Sequence, residues 1–482
     1  MKNGELEKSS DIKPSQNLAN KFKNSSKQAL KTENTNPNIN SICAVSNIMS
    51  TIQSYRKNVK DNALADKIEK ATFEYFEKNS NPITGLTKDR STANSVASIA
   101  ATGFSLTAYA IASSHDWISR TQAENYTLKV LETLSKTPQG NQSENVSGFH
   151  GFFYHFLNPA TGLRADNCEV STIDTAILMA GVLMTKDYYN EKNNPVEEKI
   201  RHLADKLYKR VDWTWALNKK DELSMGYTPE HGFIKTNWHG YNEGSLAILL
   251  GLGSPTHPLP KKAWAVYNAS DKVVSLDKTK VIEFGPMFGH EYPQIWFDFR
   301  HIKDKLNDKL GFTYYANSCR EAFIQNEYAI LDPKQWLGYN KYNWGLTASD
   351  GPGYTVQNFN GKPTVFQAYS ARGYPDSLDD GTIAPTASVS ALPFAPTIAW
   401  PTIKYFMQES PSIYGRYGFK DAFNPSFKIN NTYGWVDKDY LGIDEGPILA
   451  MLENYQTGLI WDTMKKDNYF NKALKKAGFK KD

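Results

Sequence analysis

Residues 164–189, RADNCEVSTIDTAILMAGVLMTKDYY, limit what this chain can become, because a polar loop bearing two carboxylates runs straight into a helix with no polar face. Ser171 and Asp174 have the spacing of a capping box, which starts the helix at about Thr172 and leaves Asp166 and Glu169 just outside it. Ile173, Ile177, Ala180 and Met184 mark one face at helical spacing. Leu178, Val182 and Leu183 make the other faces apolar as well, and a helix that is apolar all round is buried all round. Its N-terminal end therefore holds Asp166, Glu169 and Asp174 at the mouth of a protein core.

The surrounding chain supports the same architecture. Apolar stripes at i, i+3 and i+4 predict a helix from about residue 61 to NPITG, then helices over about 95–113 and 121–135, and another headed by Pro195. Between them lie loops rich in aromatic residues, such as GFHGFFYHFLNPATG and NWHGYNEGS. Residues 344–385 are irregular, with room for a β-hairpin or two. Helix returns over about 387–408 and 447–465, where Pro447 is expected as a first helical residue. About ten to twelve helices, no βαβ alternation and no fixed-period repeat predict an all-α fold of the α/α toroid kind rather than a solenoid. Residues 1–58 are rich in Lys, Asn, Ser and Gln and are expected to be disordered, with SICAVSNIM as an apolar patch able to dock on the body. Residues 59–482 are expected to form a single catalytic domain.

Composition excludes several functions. With 55 Lys+Arg against 51 Asp+Glu, the net charge of +4 is too small to imply a nucleic-acid or membrane-surface partner. No run of about 18 apolar residues spans a bilayer. The N-terminal MKNGELEKSSDIKPSQ lacks the apolar core of a secretory signal, so the chain as written is expected to stay where it is made. The three cysteines, Cys43, Cys168 and Cys319, are far apart and give no readable disulfide framework or CxxC pair. Cys168 stands between Asp166 and Glu169, where negative charge blunts a thiol, so packing is its expected role. His150, His155 and His239 have no ligand partners at metal spacing. Motifs for zinc proteases, serine hydrolases, P-loops and dinucleotide folds are absent.

Four groups of carboxylates remain, each at a loop-to-helix junction: Asp166/Glu169/Asp174; Glu243 in WHGYNEGS; Asp350 with Asp379/Asp380; and Asp439/Asp444/Glu445. Taken singly, each fits a helix N-terminus or a turn. Together they are set among Trp, Tyr, Phe and His, with 27 Tyr, 24 Phe and 11 Trp in the chain. Such rings either fill a core or stack on sugar faces. Carboxylates among aromatic rings are what glycoside hydrolysis requires, one kept protonated by desolvation and the other ionised to activate water.

The segments SIAATGFSLTAYAIA, GFFYHFLNPATGLR, EVSTIDTAILMAG, LGSPTHPLP, WGLTASDGP, DDGTIAPTASVSALPFAP, YGFKDAFNP and YLGIDEGPILAMLENYQTGLIW resemble the glycoamylase-like family over about residues 61–469. That family contains the bacterial endo-β-1,2-glucanases of glycoside hydrolase family 144. The resemblance implies an (α/α)6-barrel that cleaves β-1,2-glucan to short sophoro-oligosaccharides by inversion, without a metal or other cofactor. It implies Glu243, Asp166 and Glu169 as the catalytic acids. Trp238, Tyr241, Trp344, Asp350, Arg372, Asp380, Trp435, Asp444 and Glu445 are expected to line the substrate groove. The expected partner is an oligo- or polysaccharide, bound by a monomer. The rival readings are a transglycosylase, a hydrolase of another glucan such as an α-glucan, and a sugar-binding toroid without catalysis.

Overall fold

The fully apolar stretch predicted to be buried is buried in the computed structural model, which describes residues 38–276 and 279–482. The helices used below are α1 (Val45–Tyr55), α2 (Val59–Asn79), α3 (Ile99–Ser114), α4 (Arg120–Lys136), α5 (Thr172–Tyr188), α6 (Pro195–Arg210) and α7 (Ser245–Gly253). They continue with α8 (Phe288–Trp296), α9 (Tyr314–Leu331), α10 (Pro385–Val389), α11 (Pro396–Glu409) and α12 (Gly442–Gln456). The fold is mostly helical. No helix among the described residues is long and apolar enough to cross a membrane.

Helix α5 starts at Thr172, as the Ser171 cap predicts, and packs on α3 and α7. Helix α12 packs in turn on α3, α8 and α10. Helices α2, α4 and α6 lie outside this group and carry the amphipathic stripes, α2 against α12 and α6 against α4 and α5. The α3–α5 crossing is close because glycines stand on both sides: a Cβ at Gly103 would lie 2.6 Å from Leu178 Cα, and one at Gly181 would strike the Gly103 backbone.

Pro447 is not the first residue of its helix. Helix α12 begins five residues earlier, so GIDEG forms its first turn and brings Asp444 and Glu445 onto it. Proline supplies no N–H to the Ile443 carbonyl, and the Tyr292 hydroxyl donates to that oxygen instead, at 3.3 Å.

The all-α expectation needs a correction in the loops. β1 (Gly148–Phe149), β2 (Phe152–Tyr154), β3 (Val170–Ser171), β4 (Gly226–Thr228) and β5 (Gly232–Phe233) form a five-stranded antiparallel sheet in that order. Strands of two or three residues, such as the fully buried Phe152–Tyr154, are too short to show alternation in sequence. Two hairpins, β6–β7 (Thr355–Phe359 and Lys362–Phe366) and β8–β9 (Phe423–Ile429 and Thr432–Val436), stand on a second small core of Trp336, Phe359, Phe366 and Phe427.

Of the segment expected to be disordered, residues 1–37 lie outside the described residues, while 38–58 are largely helical. Ile48 and Ile52 of α1 are buried, the Arg56 guanidinium donates to the Tyr455 carbonyl, and Cys43 is joined to Cys319 of α9 by a disulfide. Sequence spacing could not reveal that bond, because its partners are 276 residues apart. Closing so long a loop is worth up to about 5 kcal/mol by chain entropy. Cys43→Ser is therefore expected to lower Tm by several degrees. An unchanged Tm would show that this arm adds nothing to the fold.

Candidate active site

The N-terminal ends of α5, α7, α8 and α12 carry a set of carboxylates beneath the loops. Ser171 Oγ accepts the Asp174 N–H at 3.2 Å and closes the first turn of α5, with the Asp174 carboxylate turned back to the same hydroxyl. Asp174 is 5% exposed. His155, just after β2, lies between two acids: its Nδ1 is 3.0 Å from Glu169 Oε1 and its Nε2 is 3.7 Å from Asp174 Oδ1.

The electrostatics divide this group into neutral and charged members. Burial would discharge His155, but the charges of Asp174 and Glu169 outweigh it and hold the imidazole at about 9, so it is a cation at neutral pH. Burial likewise works against ionised Glu169, yet its hydrogen bond and charge pairing with His155 hold it below the usual glutamate value. Glu243, two residues before α7, is affected in the opposite sense: burial, reinforced by the charge of Asp174, pushes it up to about 8. Its Oε2 is buried and makes no hydrogen bond. A neutral carboxyl thus stands beside ionised ones, which is the division of protonation states that acid/base chemistry uses.

A second acidic group faces it from α12. Burial raises Asp444 to about 8, and its carboxyl is in hydrogen-bond contact with Asp421, which burial and Asp444 together raise well above the aspartate range. Asp350 N donates to Asp421 Oδ2 at 2.6 Å, and the Asp350 carboxylate takes Arg90 Nη1 at 2.7 Å. Asp437 joins Asp350 and Asp421 within 4.8 Å. Glu291, 1% exposed on the first turn of α8, is raised well above its ordinary value by burial.

The residues expected in the site fall into three places. Glu243, Glu169, Asp350 and Asp444 belong to these carboxylate groups. Asp166 is exposed on a turn whose residues Asp166 and Asn167 have φ of 55° and 50°, and it joins no described acid cluster. The remaining groove candidates are chiefly packing or bracing residues. Trp344 is buried and donates to Thr402 Oγ1 at 2.8 Å. Arg372 and Asp380 form a buried ion pair. Glu445 is buried, its Oε2 without a hydrogen-bond partner. Trp435 packs half-buried against the hairpin core. Tyr241 stacks on Tyr314 with ring centroids 5.5 Å apart, and Trp238 Nε1 donates to Thr172 Oγ1 at 2.9 Å.

Sequence reasoning passed over His155 as anything but a metal ligand, and it omitted Asp421, Asp437 and Glu291. Asp421 lies in YGFKDAFNP and Glu291 in GPMFGHEYPQIWFDFR, both acids among aromatic residues, so the same signal was present. Cys168 is the free thiol among the described cysteines, pushed up to about 11 by burial, which makes it inert.

The Glycoamylase family model matches residues 235–468, and a model for a family of unknown function (DUF3131) matches residues 67–200. An exo β-1,2-glucooligosaccharide sophorohydrolase acting at the non-reducing end, from Parabacteroides distasonis, is 25% identical over 467 residues. The alignment takes in 89% of this chain, which spans 60% of that relative's length. The crystal structure of an endo-β-1,2-glucanase from Chitinophaga pinensis, in complex with sophorotriose and glucose, superposes with a TM-score of 0.75 at 26% identity. That match covers 87% of this chain and 98% of the other. The chain thus resembles the glycoamylase-like proteins over most of its length, and these two relatives are glycoside hydrolases of β-1,2-glucans.

Proposed function

We propose that this chain is a glycoside hydrolase that cleaves β-1,2-glucan to short sophoro-oligosaccharides by an inverting mechanism. The observation that carries the reading is the contrast between Glu243, half-buried with its Oε2 enclosed and neutral up to about pH 8, and Glu169, kept ionised by His155. Glu243 protonates the departing glycosidic oxygen. Glu169 draws the proton from the attacking water, and His155 fixes its orientation and charge. Asp174 holds His155 charged from the other side and adds to the desolvation that keeps Glu243 protonated. The packing of α3, α5, α7, α8, α10 and α12 within α2, α4, α6, α9, α11 and a sixth outer helix, Asn468–Ala477, which packs on α7, supports an (α/α)6 toroid whose inner helices present their N-terminal ends to the substrate. A binding protein without catalysis has no use for a desolvated carboxyl with an unpartnered oxygen, which costs stability.

Incubation with linear β-1,2-glucan, beside soluble starch and laminarin, tests this proposal. A ladder of sophoro-oligosaccharides is expected from the first substrate alone, with the inverted anomer appearing first by NMR. Glucose from starch with none from β-1,2-glucan would sink it. Products longer than the substrate would replace hydrolysis by transfer.

A further inference from the structure

The carboxylates discussed so far sit at the N-terminal ends of the inner helices, but another ionisable group lies toward their C-terminal ends. Glu69 of α2, His115 just past α3 and Glu453 of α12 bring one nitrogen and two carboxylate oxygens within 4.8 Å of one another. At 1.5 Å per residue, Glu453 is about 13 Å along the α12 axis from Asp444. The group is therefore separate from the proposed site.

Glu69 is fully buried. Its Oε2 accepts Gln456 Nε2 at 2.6 Å, while its Oε1 is buried without any hydrogen-bond partner. Glu453 is 1% exposed, and its Oε2 is 2.6 Å from His115 Nε2. Thr457 Oγ1 donates to its other oxygen. Two buried carboxylates facing each other cannot both stay charged unless a proton or a cation lies between them.

We propose that Glu69, His115 and Glu453 form a structural divalent-cation site of the zinc class, bridging α2, α3 and α12. Imidazole plus carboxylate is a donor set that zinc accepts at about 2.0–2.2 Å, which the group reaches if the His115–Glu453 pair opens from 2.6 Å and the remaining donors, within 4.8 Å, draw in. The unpartnered Glu69 Oε1 becomes a ligand, and His115 Nε2 exchanges its hydrogen bond for a metal bond. Gln456 and Thr457 already hold the carboxylates as outer-shell partners do. Gln456 Nε2 also reaches Asp66 Oδ1 at 2.9 Å, which ties an exposed carboxylate to the rim of the group. His115 is only half-buried, with its ring stacked on Trp117 at 4.8 Å, so an ion has a route in from solvent.

The other two groups with metal-like spacing do not carry the same argument. His155, Glu169 and Asp174 belong to the proposed catalytic site, and the Asp350–Asp421–Asp437 group has the Arg90 guanidinium bound to it.

The test is to strip the full-length protein with chelator and titrate it with Zn²⁺, following calorimetry and Tm. It is then loaded with Co²⁺ to read the ligand field in the visible spectrum. About one equivalent is expected to bind at micromolar affinity or tighter, raising Tm by about 3 °C at a hundredfold excess over Kd. Glu69→Gln and His115→Ala should each weaken binding at least tenfold and abolish the cobalt bands. Asp350→Asn should leave both unchanged. If either ligand variant fails to fold, native mass spectrometry of the unmodified protein with and without Zn²⁺ decides. No bound ion at millimolar metal, or cobalt bands lost in Asp350→Asn but kept in Glu69→Gln, would overturn the site and leave a shared proton as the link between the two glutamates.

Discussion

Glu243→Gln is expected to lower kcat on β-1,2-glucan by two to four orders of magnitude while leaving Tm and oligosaccharide binding close to those of the unaltered protein. Proton donation to the leaving oxygen is worth about that factor, and the amide keeps the shape of the neutral acid without its proton. Because Glu243 is neutral up to about 8, kcat/KM of the unaltered enzyme should fall as pH rises through that value and the acid loses its proton. On the other side, activity should fall only when Glu169 becomes protonated, below the ordinary glutamate value, because His155 holds it down. The alkaline limb should vanish in Glu243→Gln with the acid limb retained. Near-normal turnover in the variant, or an alkaline limb that persists, would remove Glu243 from the acid role.

The same pair of glutamates shows what could be read from the residues alone. Ser171, Asp174 and the apolar run after them placed the start of α5 at Thr172, because capping and periodicity are local properties. Glu243 and Glu169 were accessible for a similar reason, since both stand among aromatic residues at helix starts. Their different protonation states were not, because these depend on tertiary packing, which desolvates Glu243 and sets His155 against Glu169. Asp421 carried the same aromatic signal, but its pairing with Asp350 and Asp444 was not legible, because those partners are distant in sequence. The Cys43–Cys319 bond spans most of the chain and is invisible to any local rule. Pro447 misled because a proline that normally opens a helix is here tolerated inside one, with Tyr292 supplying the missing donor. Trp344 looked like a sugar platform because composition cannot distinguish a ring facing substrate from one facing the core.

Arg372 and Asp380 follow the same logic, and they carry the second large effect. As groove residues, their loss should raise KM and spare the fold. Their geometry predicts the reverse. Arg372 is fully buried and Asp380 is 1% exposed. They are joined by two hydrogen bonds, Nε to Oδ1 at 2.7 Å and Nη2 to Oδ2 at 3.0 Å. The guanidinium also donates to the carbonyls of Ser349 at 2.9 Å and Ala368 at 3.1 Å, while Asp380 Oδ2 accepts the Gln367 N–H at 2.9 Å. The pair thus ties the loop that presents Asp350 to the segment 367–370. Removing one partner leaves the other charge buried and unpaired, at a cost of about 3–5 kcal/mol. Arg372→Met and Asp380→Asn should therefore each lower Tm strongly, whereas Arg372→Met combined with Asp380→Leu should recover part of the loss. Burial opposes the charge of Asp380, but Arg372 outweighs it and holds the folded-state value below the aspartate norm. The stabilisation is then complete above the unfolded value of about 3.9 and is lost as pH falls through the lower folded one. An unchanged Tm in Arg372→Met, accompanied by a raised KM for glucan, would return both residues to the groove; a Tm loss that the double substitution repairs would make them the brace beneath it.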